Sequence, residues 1–210
     1  MSEPLRQGQP GFRPLVAFDF DGTLTYRDSF LAYLSWRAGR WGFWSGLPAL
    51  APNGVSWLRD RDRGRLKEAF VTRYLKGAGR QDVERSARAF ATARSASLLR
   101  PDALHRWRDW RQRGARLIIV TASPEIIVAP FAHGLGADLL IGTRLAFDAD
   151  DRVAGTLAGL NCRGAEKVAR LKAVFGDDVR LEAAYGDSDG DLEMLALADE
   201  AGMKVFGERP

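Results

Sequence analysis

The residue pattern predicts an α/β protein, a doubly wound parallel sheet interrupted by a helical insertion. Three observations predict it. Short apolar runs stop abruptly at polar or acidic residues, helical repeats follow those runs, and about 95 residues separate the first run from the second, far more than one crossover needs. The 210 residues are too few for two ordinary independent domains and enough for one core with an insertion. A hydrophobic fraction of 46% and a charged fraction of 28% exclude disordered, collagen-like and mucin-like classes.

Leu15-Val16-Ala17-Phe18 follows a Pro/Gly-rich leader and ends at Asp19, which predicts a buried first strand. Arg116-Leu117-Ile118-Ile119-Val120 predicts a second strand, preceded by a helix from about Pro101 to Arg113 that Gly114 caps. Leu181-Glu182-Ala183-Ala184-Tyr185 is weaker in composition but runs into Gly186-Asp187, as a third strand would. Further helices are predicted at Pro124 to Leu135, with Ser123 as N-cap, Pro124 in first position and Pro130 kinking or shortening it, and at Ala165 to Phe175. Leu139 to Thr143, Arg144 to Phe147 and Val153 to Thr156 read as extended segments, with Asp148-Ala149-Asp150-Asp151 as a turn. Right-handed crossovers place any active site at the carboxyl ends of the strands.

The long intervening stretch differs in character. Phe30 to Leu58 is rich in Trp, Leu and Ala, and Leu66 to Ser97 reads as Arg-rich amphipathic helix broken at Gly77-Ala78-Gly79. Residues 27–97 are therefore assigned to a helical cap over the strand ends, with 1–26 and 98–210 forming the α/β core. The charge is divided the same way: residues 1–105 carry +7 and 106–210 carry −3, within a net +4. A basic half suits an anionic partner, such as a phosphate ester, nucleic acid or lipid headgroup, or is simply a solvated arginine face. One cysteine, Cys162, excludes an internal disulfide and a Cys-rich zinc site and is read as a buried thiol; His105 and His133 are too isolated to bind metal. The first fourteen residues lack an apolar signal region, which predicts a cytoplasmic protein.

The chemistry gathers at the predicted strand ends. In Asp19-Phe20-Asp21-Gly22-Thr23-Leu24-Thr25 two carboxylates lie two residues apart, where mutual repulsion calls for a cation or a proton. Gly186-Asp187-Ser188-Asp189-Gly190-Asp191 ends another strand, so four or five carboxylates can converge. Oxygen ligands without His or Cys favour Mg²⁺ before Ca²⁺. Either segment taken singly is also an ordinary solvated turn. The second matches G-x-S-x-G, but both histidines precede Ser188, against the order of that triad. It also mimics a calcium loop, yet Leu192 and Ala198 stand where that loop needs Gly and Glu. Thr121, with the N–H groups of Ala122 and Ser123, can hold phosphoryl oxygens, and Lys167 can offset their charge; alone they would read as a cap and a surface lysine.

The four pieces DFDGTLT, IVTAS, the Lys167 segment and GDSDGD resemble, in order, the four motifs of the haloacid dehalogenase-like superfamily. The resemblance covers about 15 to 205. It implies a Rossmann-like core with an inserted helical cap of the first (C1) type, in the phosphoserine phosphatase-like branch of subfamily IB. It further implies Asp19 as a nucleophile that forms an aspartyl-phosphate and Asp21 as general acid, then base. Mg²⁺ would be held by Asp19, the Asp21 carbonyl and Asp187, with Asp191 assisting; Thr121 would bind and Lys167 stabilise the phosphoryl group. Gly22, Ala122 and Ser123 are implied phosphate contacts. Asp21 favours phosphate esters, because dehalogenase members lack a carboxylate there.

Asp28 falls where phosphoserine phosphatases carry an acidic residue facing the substrate amine, and it also suits an N-cap for a helix beginning at Ser29. Thr121-Ala122-Ser123-Pro124 departs from the Ser-Gly-Gly usual in that enzyme. Together with the Cys162 segment it is similar to C-type phosphatidylglycerophosphatases, whose substrate is an anionic lipid. Trp36, Trp41, Trp44 and Trp57 beside Arg37 and Arg40 suit a membrane interface, or pack inside the cap. Trp107 and Trp110 read as core. A small phosphate ester is thus the leading partner and an anionic phospholipid met at the inner membrane face the alternative. A phosphomutase, a silent protein and a nucleic-acid module are the rivals; no nucleic-acid motif appears, and nothing fixes the oligomeric state.

Overall fold

The computed structural model describes residues 13–50 and 63–210. Five parallel strands form the central sheet in the order β3-β2-β1-β6-β7: β1 (Leu15–Phe18), β2 (Arg116–Pro124), β3 (Leu139–Thr143), β6 (Leu181–Gly186) and β7 (Ala198–Met203). β4 (Leu145–Phe147) and β5 (Val153–Leu157) form a separate antiparallel pair. The chain starts in the middle of the sheet, builds one flank through β2 and β3, and then crosses to β6 and β7. The order therefore reverses beside β1, and the crevice at its carboxyl end is where such sheets take ligands.

Between β1 and β2 lie α1 (Ser29–Gly46), α2 (Arg63–Tyr74), α3 (Arg80–Arg94) and α4 (Pro101–Gln112); α5 (Glu125–Gly134), α6 (Ala165–Phe175) and the short α7 (Leu192–Leu195) complete the layers. Asp28 caps α1, its Oδ1 accepting from the Leu31 N–H at 2.7 Å. Gly39, at φ 71°, breaks α1 into two helical pieces. The Gly77-Ala78-Gly79 break lies between α2 and α3 and is pinned to β5: the Gly77 N–H donates to Val153 O at 2.8 Å and the Val153 N–H to Ala78 O at 2.9 Å.

One face of the sheet and the helices α1 to α3 share a single hydrophobic interior. Phe18, Phe20, Tyr33, Leu34, Val71, Phe90, Trp107, Trp110 and Phe131 belong to one buried cluster, and Phe90 of α3 meets Phe131 of α5 edge-on at 5.8 Å. The opposite face is filled by Ala17, Ile118, Val120, Cys162, Leu171, Leu181 and Met194.

Three details differ from the sequence reading. The second strand runs on to Pro124, pairing there with Thr143, so α5 starts at Glu125 with Pro124 as its N-cap; Ser123 is not the cap, because its hydroxyl is engaged elsewhere. The helix carries Pro130 within ten residues, two fewer than predicted. The sequence also gave no sign of β7, whose Ala-Asp-Glu-Ala-Gly-Met has no apolar run; as the last strand of the sheet it is half solvated. Trp57 and Leu58 lie outside the described residues.

Candidate active site

The turn after β1 supplies the first two carboxylates. The Asp19 N–H donates to Tyr185 O at 2.8 Å, extending the β1–β6 ladder to the edge of the crevice, and the Thr25 N–H returns to Phe20 O at 2.9 Å to close the turn. Gly22, at φ 81°, is required there: a Cβ would stand 2.1 Å from Asp187 Oδ2. The missing side chain lets the turns after β1 and β6 bring their carboxylates together. Ligand oxygens of Asp19, Asp187 and Asp191 lie within 4.8 Å of one another.

Lys167, at the start of α6, is the buried counter-charge. Its Nζ donates to Asp19 Oδ1, Asp191 Oδ1 and Val120 O, each at 2.6 Å, which uses all three donors. Burial alone would lower its pKa, but Asp19 and Asp191 outweigh burial and raise it. Burial pushes the Asp19 carboxyl up to about 7; Lys167 pulls it down, and Asp191 and Asp21 push it up further. For Asp191 burial is outweighed by Lys167 and by hydrogen bonds from Ser188, so its pKa falls. Its Oδ2 accepts from the N–H groups of Asp187 and Ser188, at 3.2 and 3.0 Å, and from Ser188 Oγ at 3.0 Å. Asp191 is thus an organiser of the turn and of Lys167. Asp187 is different: its carboxylate has no hydrogen-bond donor among the described residues, and burial together with Asp191 and Asp21 raises its pKa.

Asp21 is held in a setting unlike that of Asp19. Its Oδ1 accepts from the Ser29 N–H at 2.7 Å and its Oδ2 from the Ser123 hydroxyl, so it is anchored by the start of α1 and the end of β2. Thr121 is fully buried and its Oγ1 accepts from the Ser123 N–H at 3.0 Å, which leaves the hydroxyl proton to donate. A cavity of about 530 Å³ joins Asp19, Asp21, Gly22, Thr121, Ala122, Ser123, Lys167, Asp187 and Asp191, with Asp28 at its margin. Asp28 keeps solvent contact, yet the surrounding protein mass and then Asp21 raise its carboxyl to about 6, against the Leu31 N–H, which lowers it.

Every site residue predicted from the sequence therefore lines one cavity. Three others join them. Lys67 of α2 donates to Ala122 O and, at 2.8 Å, to Asn161 Oδ1. Arg163 lies against Gly190, donating to Ser188 Oγ at 3.2 Å and to Asp189, and so joins the turn before α6 to the turn after β6. Asn161 and Arg163 sit in the segment before Lys167, where adjacency was a usable signal; Lys67 is one base among many in an Arg-rich helix and had none. Cys162 is fully buried, burial pushing its thiol up to about 11, which suits a packing role.

The fold and the carboxylate turns at the strand ends define a class. The profile of the haloacid dehalogenase-like hydrolases matches residues 16–196, and the chain belongs to that family. It is 60% identical over 205 residues to the protein CicA of Caulobacter vibrioides, covering 97% of this chain and 91% of that one. It is 26% identical to a histidinol-phosphatase of Neisseria meningitidis serogroup C, over 89% and 87% of the two chains. Among solved structures it is similar to a protein from Bordetella pertussis Tohama I, with a TM-score of 0.71, 24% identity and coverage of 90% and 88%. A phosphoserine phosphatase in its apo form superposes with a TM-score of 0.60 at 19% identity, covering 91% and 86%.

Proposed function

We propose that the chain hydrolyses a small phosphate monoester by way of a phosphoryl group carried on Asp19. The observation that carries this reading is the contrast between two neighbouring carboxylates. Asp19 lies on the Lys167 ammonium, whereas Asp21 is turned onto the Ser29 N–H and the Ser123 hydroxyl. Two carboxylates in two environments suit two roles. An Asp19 oxygen attacks phosphorus, the bond to the ester oxygen breaks, and Asp21 gives that oxygen a proton. Asp21 then takes a proton from the water that attacks the acyl phosphate, releasing inorganic phosphate and restoring Asp19. Thr121 and the Ala122 N–H hold phosphoryl oxygens, Lys167 fixes the nucleophile, and the Ser123 N–H, expected from the sequence to join them, instead orients Thr121 by donating to its Oγ1. A phosphatase reading also agrees with the names of the histidinol-phosphatase relative and the phosphoserine phosphatase of similar fold.

The residues fit Mg²⁺. Asp19, Asp187 and Asp191 offer oxygen alone, and Lys167 is the only ammonium hydrogen-bonded to them among the described residues. Asp19, the Asp21 carbonyl and Asp187 would hold the ion, with Asp191 behind them. Once bound, it supplies neutralisation of charge on the phosphoryl oxygens. In the same reading residues 27–97 act as the cap that closes the site, and Asp28 faces an ammonium group on a substrate such as phosphoserine.

The test is phosphate release with and without Mg²⁺ from phosphoserine, sugar and nucleotide monophosphates and dispersed phosphatidylglycerol phosphate. Release that needs the ion supports the reading; folded protein that releases phosphate from none of them overturns it. The role of Asp21 has its own check. Ser123→Ala frees one of its oxygens and is expected to lower kcat on the order of tenfold, with KM little changed. An unaltered kcat would remove Ser123 from the positioning of Asp21.

A lipid phosphate met at a membrane surface is the second reading, and exposure of two tryptophans favours it. Trp36 packs on Phe90 at 5.7 Å, but Trp41 is 90% exposed and Trp44 64%. No acidic residue occurs between Ser29 and Arg59, so nothing in that stretch repels an anionic headgroup. No described helix is long and apolar enough to cross a membrane, so contact would be peripheral. Flotation with phosphatidylglycerol vesicles is expected to carry the wild type and not the Trp41→Ser/Trp44→Ser variant. Equal flotation, or none, counts against this surface.

A further inference from the structure

Lys67 leaves its own helix to bond the end of β2, at the edge of the cavity. Its Nζ donates to Ala122 O, the carbonyl between Thr121 and Ser123, and to Asn161 Oδ1 at 2.8 Å. The Thr143 hydroxyl lies at 2.6 Å from the same carbonyl and 3.0 Å from the same amide oxygen, and accepts from the Cys162 N–H at 3.0 Å. Ala122 O, Asn161, Thr143 and the Cys162 N–H thus form one network, and Lys67 is its contribution from α2. Neither hydrogen-bond acceptor of Lys67 is charged; Asp21 and then Asp28 are the negative charges that act on it most strongly.

We infer that Lys67 is a positioning residue, which fixes the Ala122–Ser123 peptide and so completes the phosphoryl-binding turn only while α2 is seated on the core. The inference rests on the hydrolase reading above. The peptide it holds leads directly into Ser123, whose N–H meets Thr121 Oγ1 and whose hydroxyl meets Asp21. The pairing of Pro124 with Thr143, the Thr143 hydroxyl and the bonds of Ser123 hold this peptide from the core side, and Lys67 adds the one donor among the described residues of the helical segment. Catalysis and closure of the helical segment are then coupled through one side chain rather than through the substrate.

The test uses Lys67→Met, Lys67→Arg, Asn161→Ala and the Lys67→Met/Asn161→Ala pair in the full chain, each verified by its melting temperature. Two esters are compared, phosphoserine and phosphoethanolamine, which differ by one carboxylate. Lys67→Met is expected to lower kcat about tenfold on both esters with KM within about twofold, because misplacement of a reacting group acts on the chemical step. Lys67→Arg recovers most of the loss. The double variant is expected to fall about as far as the worse single variant, since groups in one network are not additive. A loss confined to phosphoserine and seated in KM would overturn the inference, making Lys67 a contact for the substrate carboxylate. Multiplicative losses, or an unaltered kcat, would overturn it too. A wild type that hydrolyses neither these nor the wider panel of esters would instead overturn the hydrolase reading itself, and this inference with it.

Discussion

On the proposed mechanism Asp19→Asn is expected to abolish phosphate release, by at least about 10⁴-fold, because it replaces the carboxylate nucleophile with a weakly nucleophilic amide. The variant keeps its fold. Asparagine is isosteric, and Lys167 retains Val120 O and Asp191 as partners. In metal-free protein the substitution is even favourable at alkaline pH. The Asp19 carboxyl is raised to about 7 by burial, so its protonated form is the one the folded state prefers. The stability associated with that proton is present at low pH and is lost as pH rises through 7. Asparagine carries no such penalty, so at pH 8 without metal its melting temperature is expected to match or exceed that of the wild type, and the difference closes on acidification. A folded variant with more than about a hundredth of wild-type release, a residue too large for a lost covalent nucleophile, would place the nucleophile elsewhere.

Lys167→Met has the largest expected effect on stability. Lys167 is 1% exposed, and the substitution strands Asp19 and Asp191, both buried, without their shared ammonium. Breaking a buried ion pair from one side typically costs about 3–5 kcal/mol. For a chain of this size that corresponds to a fall in melting temperature of roughly 6–20 °C. Loss of the cation raises the folded-state pKa of both carboxylates. The variant therefore regains stability as pH falls from 8 towards 5 and its carboxylates take up protons, whereas the wild type changes less. Added Mg²⁺ is expected to restore part of the loss at pH 8 by replacing positive charge among Asp19, Asp187 and Asp191. Differential scanning fluorimetry over pH, with and without the ion, measures both effects. A variant that melts within 2 °C of the wild type would mean that the two carboxylates are not held as charged groups.

The placement of Asp19, Asp21, Thr121, Lys167, Asp187 and Asp191 was legible because each lies within a few residues of an element with a strong local signature. β1 and β2 are apolar runs with sharp ends, and α6 starts where a helical repeat starts. Chemistry fixed at the ends of such elements inherits their predictability. Lys67 was illegible for the opposite reason. Its proposed role comes from the approach of α2 to the end of β2, a contact between residues 55 apart in the chain. Ser123 was placed correctly in the cavity and wrongly as a helix cap: a serine before proline satisfies local capping rules, and only the tertiary partner Asp21 decides otherwise. The long stretch between β1 and β2 holds helices, as its length suggested, but the sides of its tryptophans were not legible, since Trp36 and Trp41 look alike in composition and differ in what packs on them.

Phe90 against Phe131, inside a cluster that runs from Tyr33 and Val71 to Phe18 without a gap, has a bearing on which molecules can be hydrolysed. Swinging the helical segment wide would part that apolar surface and expose it to water, so the seated arrangement, with Lys67 on Ala122 O, is strongly favoured. Asp28 and Leu31 of the α1 entrance and Arg63 and Leu66 of α2 line the same cavity as Asp19, and in the proposed reading they border the way in. An ester on a slender, mobile arm can thread that margin and bring its phosphorus to Asp19. A phosphorylated residue set in the rigid surface of a folded protein fits such an entrance poorly, which agrees with the small ester proposed above.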